Sequence, residues 1–325
     1  MAKASDIVVV EKRTLAKIGL DRLPRTIVFA GDKACRRFIE FFTANIRNRN
    51  TRLAYARAVQ RFFDWCEENE LALIDIEPFH VAAYIEQHPG SRPSQKQSLA
   101  AVRMLFDWLV VGQVVTMNPA ASVRGPTHVV KRGKTPVLTA EQTRALLDSI
   151  DVSSLVGLRD RALIGLMVFS FARVSAAVNM VVEDYFQQGK RYWFRLHEKG
   201  GKRHEVPAHH KAEEYLDEYL KFAGIGSDKK SPLFRTFSRD RQLTDSKMTR
   251  NDAFRMIKRR ALAAGLPAST CCHTFRATGI TAYLENGGTI EKAQQIAAHE
   301  SPRTTKLYDR TNDDITFDEV ERIRI

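Results

Sequence analysis

Cysteine is scarce in this 325-residue chain: Cys35, Cys66, Cys271 and Cys272 are the whole set, and no CxxC spacing occurs among them. That excludes a zinc ribbon and a disulfide framework. Long apolar runs are missing as well. The longest mostly apolar stretch, residues 162–172, is bracketed by Arg161 and Arg173 and is too short to span a bilayer. Near the N-terminus only the run from Ile7 to Val10 is apolar before charge resumes, so no signal peptide is expected. Internal repeats and low-complexity segments are absent too. The expectation is a soluble protein of a reducing cytoplasm with no membrane partner. Acid is also in deficit, with 38 Asp and Glu against 51 Lys and Arg, a net charge of +13. Such a surplus attracts polyanions, nucleic acid first and an anionic membrane surface second. Hydrophobic residues make up 44% of the chain, enough for a core in each of two domains at this length.

Helical periodicity runs from Asp32 to Glu70, where Tyr55, Val59, Phe62, Phe63 and Cys66 form one apolar stripe and Arg57 and Arg61 share another face. Thr51, following Asn50, is the candidate N-cap. A helix over Pro78 to Gln87 leads into a polar loop, His88 to Ser94. Another helix follows over Gln95 to Val111, with Leu99, Val102, Leu105, Phe106 and Leu109 on its stripe and Lys96 and Arg103 outside it. This half reads as a small helical bundle, residues 32–125. Pro126, Gly133 and Pro136, among Lys131, Arg132 and Lys134, mark residues 126–136 as a linker. Beyond it, in residues 137–325, Thr139 and Gln142 form a capping-box pattern, and an apolar helix covers about Leu158 to Phe171. Strand-like alternation appears over Arg191 to Pro207 around a Gly-Gly turn, and the chain from Lys211 onward reads as helical with short breaks. The fold class is mainly α, with a small β-hairpin in the second domain.

Several polar residues stand where a structural protein has little use for them. Arg173 closes the apolar helix, and a buried arginine needs a carboxylate or an anion. His273 and Arg276 are three apart on one helix face and can reach one phosphate. His299 ends the helix from Ile290 to Ala298, and Ser301-Pro302 opens a further helix with Tyr308 two turns into it. Lys199 lies at the hairpin tip. Taken singly, a helix histidine or a tyrosine on an amphipathic helix is a core residue more often than a functional one; the order and spacing of the set carry the argument.

That order resembles the tyrosine recombinase, or phage integrase, family, its Xer-like branch in particular. The family pattern has Arg after an apolar helix, Lys in a hairpin, a HisxxArg pair, a second His, and Tyr nine residues further on. Here these are Arg173 in Arg-Val-Ser, Lys199 in Glu-Lys-Gly-Gly-Lys, His273 and Arg276 in His-Thr-Phe-Arg, His299 in Ala-Ala-His-Glu, and Tyr308 in Lys-Leu-Tyr-Asp. The resemblance spans about residues 32 to 312, with the Asn-Thr-Arg-Leu-Ala-Tyr segment near residue 50 matching the start of the N-terminal domain. Two departures stand out. Ala176 replaces the acid three residues past the first arginine, with Asp184 as a candidate substitute. Phe171-Ala172 replaces a small glycine before the arginine motif.

The resemblance implies a SAM-like core-binding domain followed by a mostly helical catalytic domain, and a site-specific recombinase or integrase that needs no metal and no cofactor. Tyr308 would attack a phosphodiester to give a 3′-phosphotyrosyl link and a free 5′ hydroxyl. Arg173 and Arg276 would neutralise the phosphorane, Lys199 would protonate the leaving oxygen, and His299 would donate to the phosphate. His273 either accepts the phenolic proton or donates to the phosphate. Lys202 is the alternative acid. Arg52, Arg57, Lys96 and Arg103 are candidates for DNA-backbone contacts. The implied partner is double-stranded DNA with short inverted-repeat sites, held in a clamp of the two domains, and the implied assembly is a homotetramer in the synaptic complex. The C-terminal stretch with Ile315, Phe317, Val320 and Ile323 either closes its own domain or docks on a neighbouring protomer.

Two other functions share these residues: a type IB topoisomerase-like relaxing enzyme, and a DNA-binding protein with impaired catalysis, which Ala176 motivates. His204, His209 and His210 lack acidic or cysteine partners at ligand spacing and read as exposed hairpin histidines, not a metal site. Cys272 reads as a core cysteine, since adjacent helix positions face about 100° apart and separate it from His273.

Overall fold

A computed structural model describes residues 15–129, 133–198 and 203–309. The chain divides into two compact units, Met1–Val129 and Val130–Ile325. In the first, α1 (Arg25–Phe29) and α2 (Asp32–Glu40) lead through a π-helical turn (Phe41–Asn45) to α3 (Arg49–Glu68), α4 (Pro78–Gln87) and α5 (Arg92–Val111). Phenylalanine makes its core: Phe38, Phe41, Phe42, Phe62, Phe63 and Phe106 are all fully buried and meet edge to face at centroid separations of 4.8–6.1 Å. The stripes expected on α3 and α5 are the faces that point into this core.

Two boundaries differ from expectation, each for a local reason. Asn48 caps α3, its side chain accepting from the backbone N–H of Asn50 (3.0 Å) and Thr51 (3.2 Å), so Thr51 lies inside the first turn. Helix α5 starts at Arg92 instead of after Ser94. Pro93 is accommodated in the first turn, where its missing N–H would have had no helical partner anyway.

The second unit is built around α7 (Leu155–Phe169), which is buried on nearly every side. Before it runs α6 (Ala140–Asp148), which opens on the expected capping box of Thr139 and Gln142. After it come α8 (Val174–Val178), the strands β1 (Tyr185–Gln188), β2 (Arg191–His197) and β3 (Arg203–Pro207), and α9 (His210–Ala223). The hairpin is thus the outer part of a three-stranded antiparallel sheet ordered β1-β2-β3. A second antiparallel pair, β4 (Arg235–Phe237) with β5 (Leu243–Lys247), interrupts the stretch expected to be helical. These strands are short, and β5 is polar and largely exposed, so neither carries the alternation by which a strand is read. Helices α10 (Arg250–Ala263), α11 (Cys272–Glu285), α12 (Ile290–Ile296) and α13 (Pro302–Lys306) complete the described chain.

One polar cluster inside this unit had no sequence signal. Asp160 is fully buried and accepts from Arg159 through Oδ1 and from Arg260 Nε (3.0 Å) and Nη2 (2.8 Å) through Oδ2. Both carboxylate oxygens are satisfied, which is what allows a buried charge.

Close approach of α7 and α11 sets the position of everything that follows. Gly279 faces the carbonyl of Val168, and a Cβ placed there would overlap that oxygen and crowd the Phe171 ring. Gly279→Ala should therefore destabilise the protein by about 1–3 kcal/mol through overpacking, measured by chemical denaturation. Gly226→Ala, at a position with open space within 4 Å, is the control and should change little.

Candidate active site

Helix α7 ends at Phe169, earlier than the apolar run suggests, and the chain breaks over residues 170–172. Ser170 Oγ donates to the Leu166 carbonyl, and Phe171 adopts a left-handed conformation with φ of 54°. This is the place where the family pattern has a small glycine, and the backbone geometry supplies the reason: left-handed φ is free for glycine and costs about 1–2 kcal/mol elsewhere. The bend makes Arg173 the N-cap of α8 and not the last residue of α7. It also directs the Phe171 carbonyl toward α11.

On α11, Arg276 is 1% exposed. Its Nη1 donates to the Phe171 carbonyl and its Nη2 to the Ala297 carbonyl, tying together the end of α7, the body of α11 and the end of α12. The buried Nε has no hydrogen-bond partner among the described residues. Burial, and then Arg173, push this guanidinium down to about 10, while Glu198 and Tyr308 favour its charge. It remains a cation at neutral pH. Arg173, with a side chain 35% exposed, is bonded through Nη1 to Glu198 Oε2 at the end of β2.

Tyr308 lies two residues beyond α13, which is only five residues long, and not two turns into a helix. Three bonds hold the turn: Tyr308 N–H to the Thr305 carbonyl (2.9 Å), Thr281 Oγ1 to the Tyr308 carbonyl (2.8 Å), and Gly133 N–H to the Leu307 carbonyl (2.9 Å). The residue is 7% exposed, and its phenol oxygen is 2.6 Å from His273 Nε2. Burial raises the phenol above its ordinary value, and Arg276 and Arg173 offset only part of that rise. His273 is lowered by burial and then by the same two arginines, so its imidazole is neutral at pH 7 and able to exchange a proton with the phenol.

His299 follows Ala298, a left-handed residue with φ of 47°. Its ring stacks on that of Tyr308 at 5.6 Å and 8°, with Nδ1 2.9 Å from Thr305 Oγ1. Arg173, His273, Arg276, His299 and Tyr308, scattered over 136 positions of sequence, thus form one cluster. Lys199 and Lys202 lie outside the described residues, as do residues 310–325.

With this geometry in place, comparison with known proteins has a clear outcome. Residues 136–314 match the phage integrase family, and residues 37–112 match the phage integrase N-terminal SAM-like domain. The chain belongs to the phage integrase family. Among relatives, a tyrosine recombinase XerD of Ralstonia nicotianae is 30% identical over 80% of this chain and 83% of its own length. A tyrosine recombinase XerD of Corynebacterium glutamicum is 29% identical over 80% of this chain and 86% of its own. The fold is shared with XerH site-specific recombinase in a post-cleavage complex with palindromic difH substrate, at a TM-score of 0.67 and 18% identity over 93% of both chains. It is also shared with a lambda integrase dimer on a COC′ core site, at 0.66 and 18% over 98% of this chain and 91% of that one. Like those relatives, this phage integrase family member is a tyrosine-type site-specific recombinase; the SAM-like match disfavours a topoisomerase.

Other candidates of the recombinase separate cleanly. Asp184 is not the substitute for the missing acid at Ala176. Its carboxylate accepts the Val181 N–H (2.9 Å) and meets His197 Nε2 at 3.1 and 3.2 Å, away from Arg173. Sequence reasoning missed Glu198, the acid that does meet Arg173. Its signal was its place beside Lys199 at the end of an alternating strand. Arg52 donates twice to the Ile46 carbonyl (3.0 and 2.8 Å), and Arg103 donates to the carbonyls of Ala120 (3.1 Å) and Val123 (2.7 Å). Both therefore brace their own chain, whereas Arg57 and Lys96 are exposed.

The histidines read as hairpin residues have individual tasks: His204 Nε2 meets the Ile296 carbonyl at 2.9 Å, and His209 caps α9, stacked between Phe169 and His210. Cys272 packs against the core, its thiol pushed up to about 11 by burial.

Burial, Arg276 and Arg173 bring His299 down to about 3 from an ordinary 6.5. The unfolded chain therefore takes up a proton between these values that the folded chain refuses, and stability falls as pH drops from about 6.5 toward 3. Denaturation midpoints measured over this range should show a shallower decline for His299→Gln than for the parent protein.

Proposed function

We propose that this recombinase cuts and rejoins duplex DNA through a 3′-phosphotyrosyl intermediate on Tyr308. The observation that carries this reading is the phenol 2.6 Å from His273 beside a buried Arg276 whose Nε is unspent. A buried donor without a partner beside a nucleophile is a place for an anionic oxygen.

In the forward step the Tyr308 oxygen attacks phosphorus, its proton passes to His273 Nε2, and the bond from phosphorus to the 5′ oxygen breaks. The departing oxygen takes a proton from an acid, the role the family resemblance gives to Lys199 with Lys202 as the alternative. Arg173 and Arg276 present fork-like donors to the non-bridging oxygens, which gain charge in the transition state. His299 donates through the nitrogen that does not face Thr305. The phosphotyrosine retains the energy of the broken bond, so attack by a 5′ hydroxyl of another strand reseals DNA without a nucleotide cofactor.

Residues 32–125 serve as the core-binding domain, 126–136 as the linker and 137–325 as the catalytic domain. Exposed Arg57 and Lys96 supply backbone contacts from the first domain, in a protein whose surplus of +13 makes its DNA affinity steeply salt-dependent. The XerH and lambda integrase neighbours are named with specific DNA sites, and the substrate assigned to this chain is likewise a duplex with short inverted repeats. Exchange between two duplexes uses four tyrosines, so the working assembly is a tetramer on DNA, in the cytoplasm.

A nicked suicide duplex, built on a site that the protein itself selects from random-sequence DNA, tests the nucleophile. The parent protein should accumulate covalent adduct that resists denaturant, Tyr308→Phe should give none while still shifting the duplex in a gel, and adduct from Tyr308→Phe would refute the assignment. Arg173→Ala should slow adduct formation by about 10²–10³-fold, the range for loss of one charge-stabilising donor.

A further inference from the structure

We propose that Glu198 is the positioning residue that fixes Arg173 in the active site, filling the role left vacant by Ala176. The inference rests on the recombinase reading above and concerns how one of its arginines is held. Three observations on separate elements support it.

Ala176 lies one turn into α8 from Arg173 and is fully buried, with no polar group to offer the guanidinium. The nearest acids by sequence are committed elsewhere, Glu183 to Lys230 and Asp184 to Val181 and His197. Glu198 comes from the end of β2, with a side chain only 5% exposed, and its Oε2 accepts from Arg173 Nη1. A carboxylate buried to that degree costs free energy unless paired, and Arg173 is its partner among the described residues.

Glu198 has a second effect because two cations share this small space. Arg173 and Arg276 repel one another, and Glu198 attracts both. Before DNA arrives the carboxylate holds Arg173 against that repulsion with one of its forks, leaving the remaining N–H donors for a phosphate. An acid delivered from the strand can perform this task as well as one from the helix, since a guanidinium is fixed by the position of the oxygen and not by the element it hangs from. Glu198 itself touches no reacting atom.

The test measures adduct rates on two versions of the nicked suicide duplex, one with an ordinary scissile phosphate and one with a methylphosphonate there. The neutral methylphosphonate has lost one anionic oxygen and depends less on a well-placed arginine. Glu198→Ala should slow adduct formation on the phosphate by about 10- to 100-fold, as misplacement of a catalytic group by about an ångström does. Glu198→Gln, which keeps an acceptor oxygen, should fall between Glu198→Ala and the parent. The slowing should be clearly smaller on the methylphosphonate, and Arg173→Ala combined with Glu198→Ala should be no slower than Arg173→Ala alone.

Three results would overturn the proposal: parent-like rates for both Glu198 variants, equal slowing on the two substrates, or a double variant whose losses multiply. Should Glu198→Ala melt below the assay temperature, the isosteric Glu198→Gln carries the same comparisons. A parent protein that forms no adduct on either duplex would instead refute the recombinase reading, and this inference with it.

Discussion

Two like charges, Arg173 and Arg276, stand close enough to repel one another, and each has to be held in place by its surroundings. That constraint organises the second unit. Arg276 is held from inside by carbonyl oxygens of Phe171 and Ala297, which are partial charges and not full ones. Arg173 is held from outside by the full charge of Glu198. The division follows solvent access: an enclosed guanidinium braced by neutral dipoles remains available to an anion, whereas a half-exposed one needs a stronger anchor to stay in place.

The two carbonyls are themselves the product of backbone geometry. Phe171 is left-handed at the break after α7, and Ala298 is left-handed just after the Ala297 carbonyl, at the exit of α12. Neither residue is glycine, so both bends are held by their surroundings, and the first has its Phe171 ring packed against Gly279 where α7 meets α11. Strain of this kind, small at each position, turns two chain ends toward a single arginine. The same packing delivers Thr281 to the Tyr308 carbonyl, so Tyr308 is registered against the helix that carries His273 and Arg276.

Much of this was legible in the sequence because it depends on local rules. The stripe of Val59, Phe62, Phe63 and Cys66 is buried as its spacing implies, the Thr139–Gln142 box forms, and the alternation of Phe194 and Leu196 marks a strand whose inner face is buried. One failure was a choice between local caps: Asn48 displaced Thr51 because the chain turned earlier than the apolar pattern required. The others came where long-range packing competes with a local preference. Strands β4 and β5 are read only from their pairing with each other. Tyr308 left its helix because Thr281 and Gly133, each distant in sequence, bond the turn around it.

For the site, the spacing of Arg173, His273, Arg276, His299 and Tyr308 determined the chemistry that the chain can carry, since residue type fixes what a group donates, accepts or attacks with. Charge likewise pointed toward a polyanion, nucleic acid before an anionic membrane surface, because a surplus of +13 acts at long range whatever the fold. The partner of Arg173 was decided only in three dimensions. Asp184 and Glu198 are both acids in the right stretch, and nothing in their order along the chain separates them. Strand pairing does: β1 begins just after Asp184 and pairs antiparallel with β2, which leaves the Asp184 carboxylate within reach of the His197 ring at the end of β2, and the next residue, Glu198, is carried past the end of the strand to Arg173. Coulomb attraction falls with distance, and distance between residues 173 and 198 is a property of the fold.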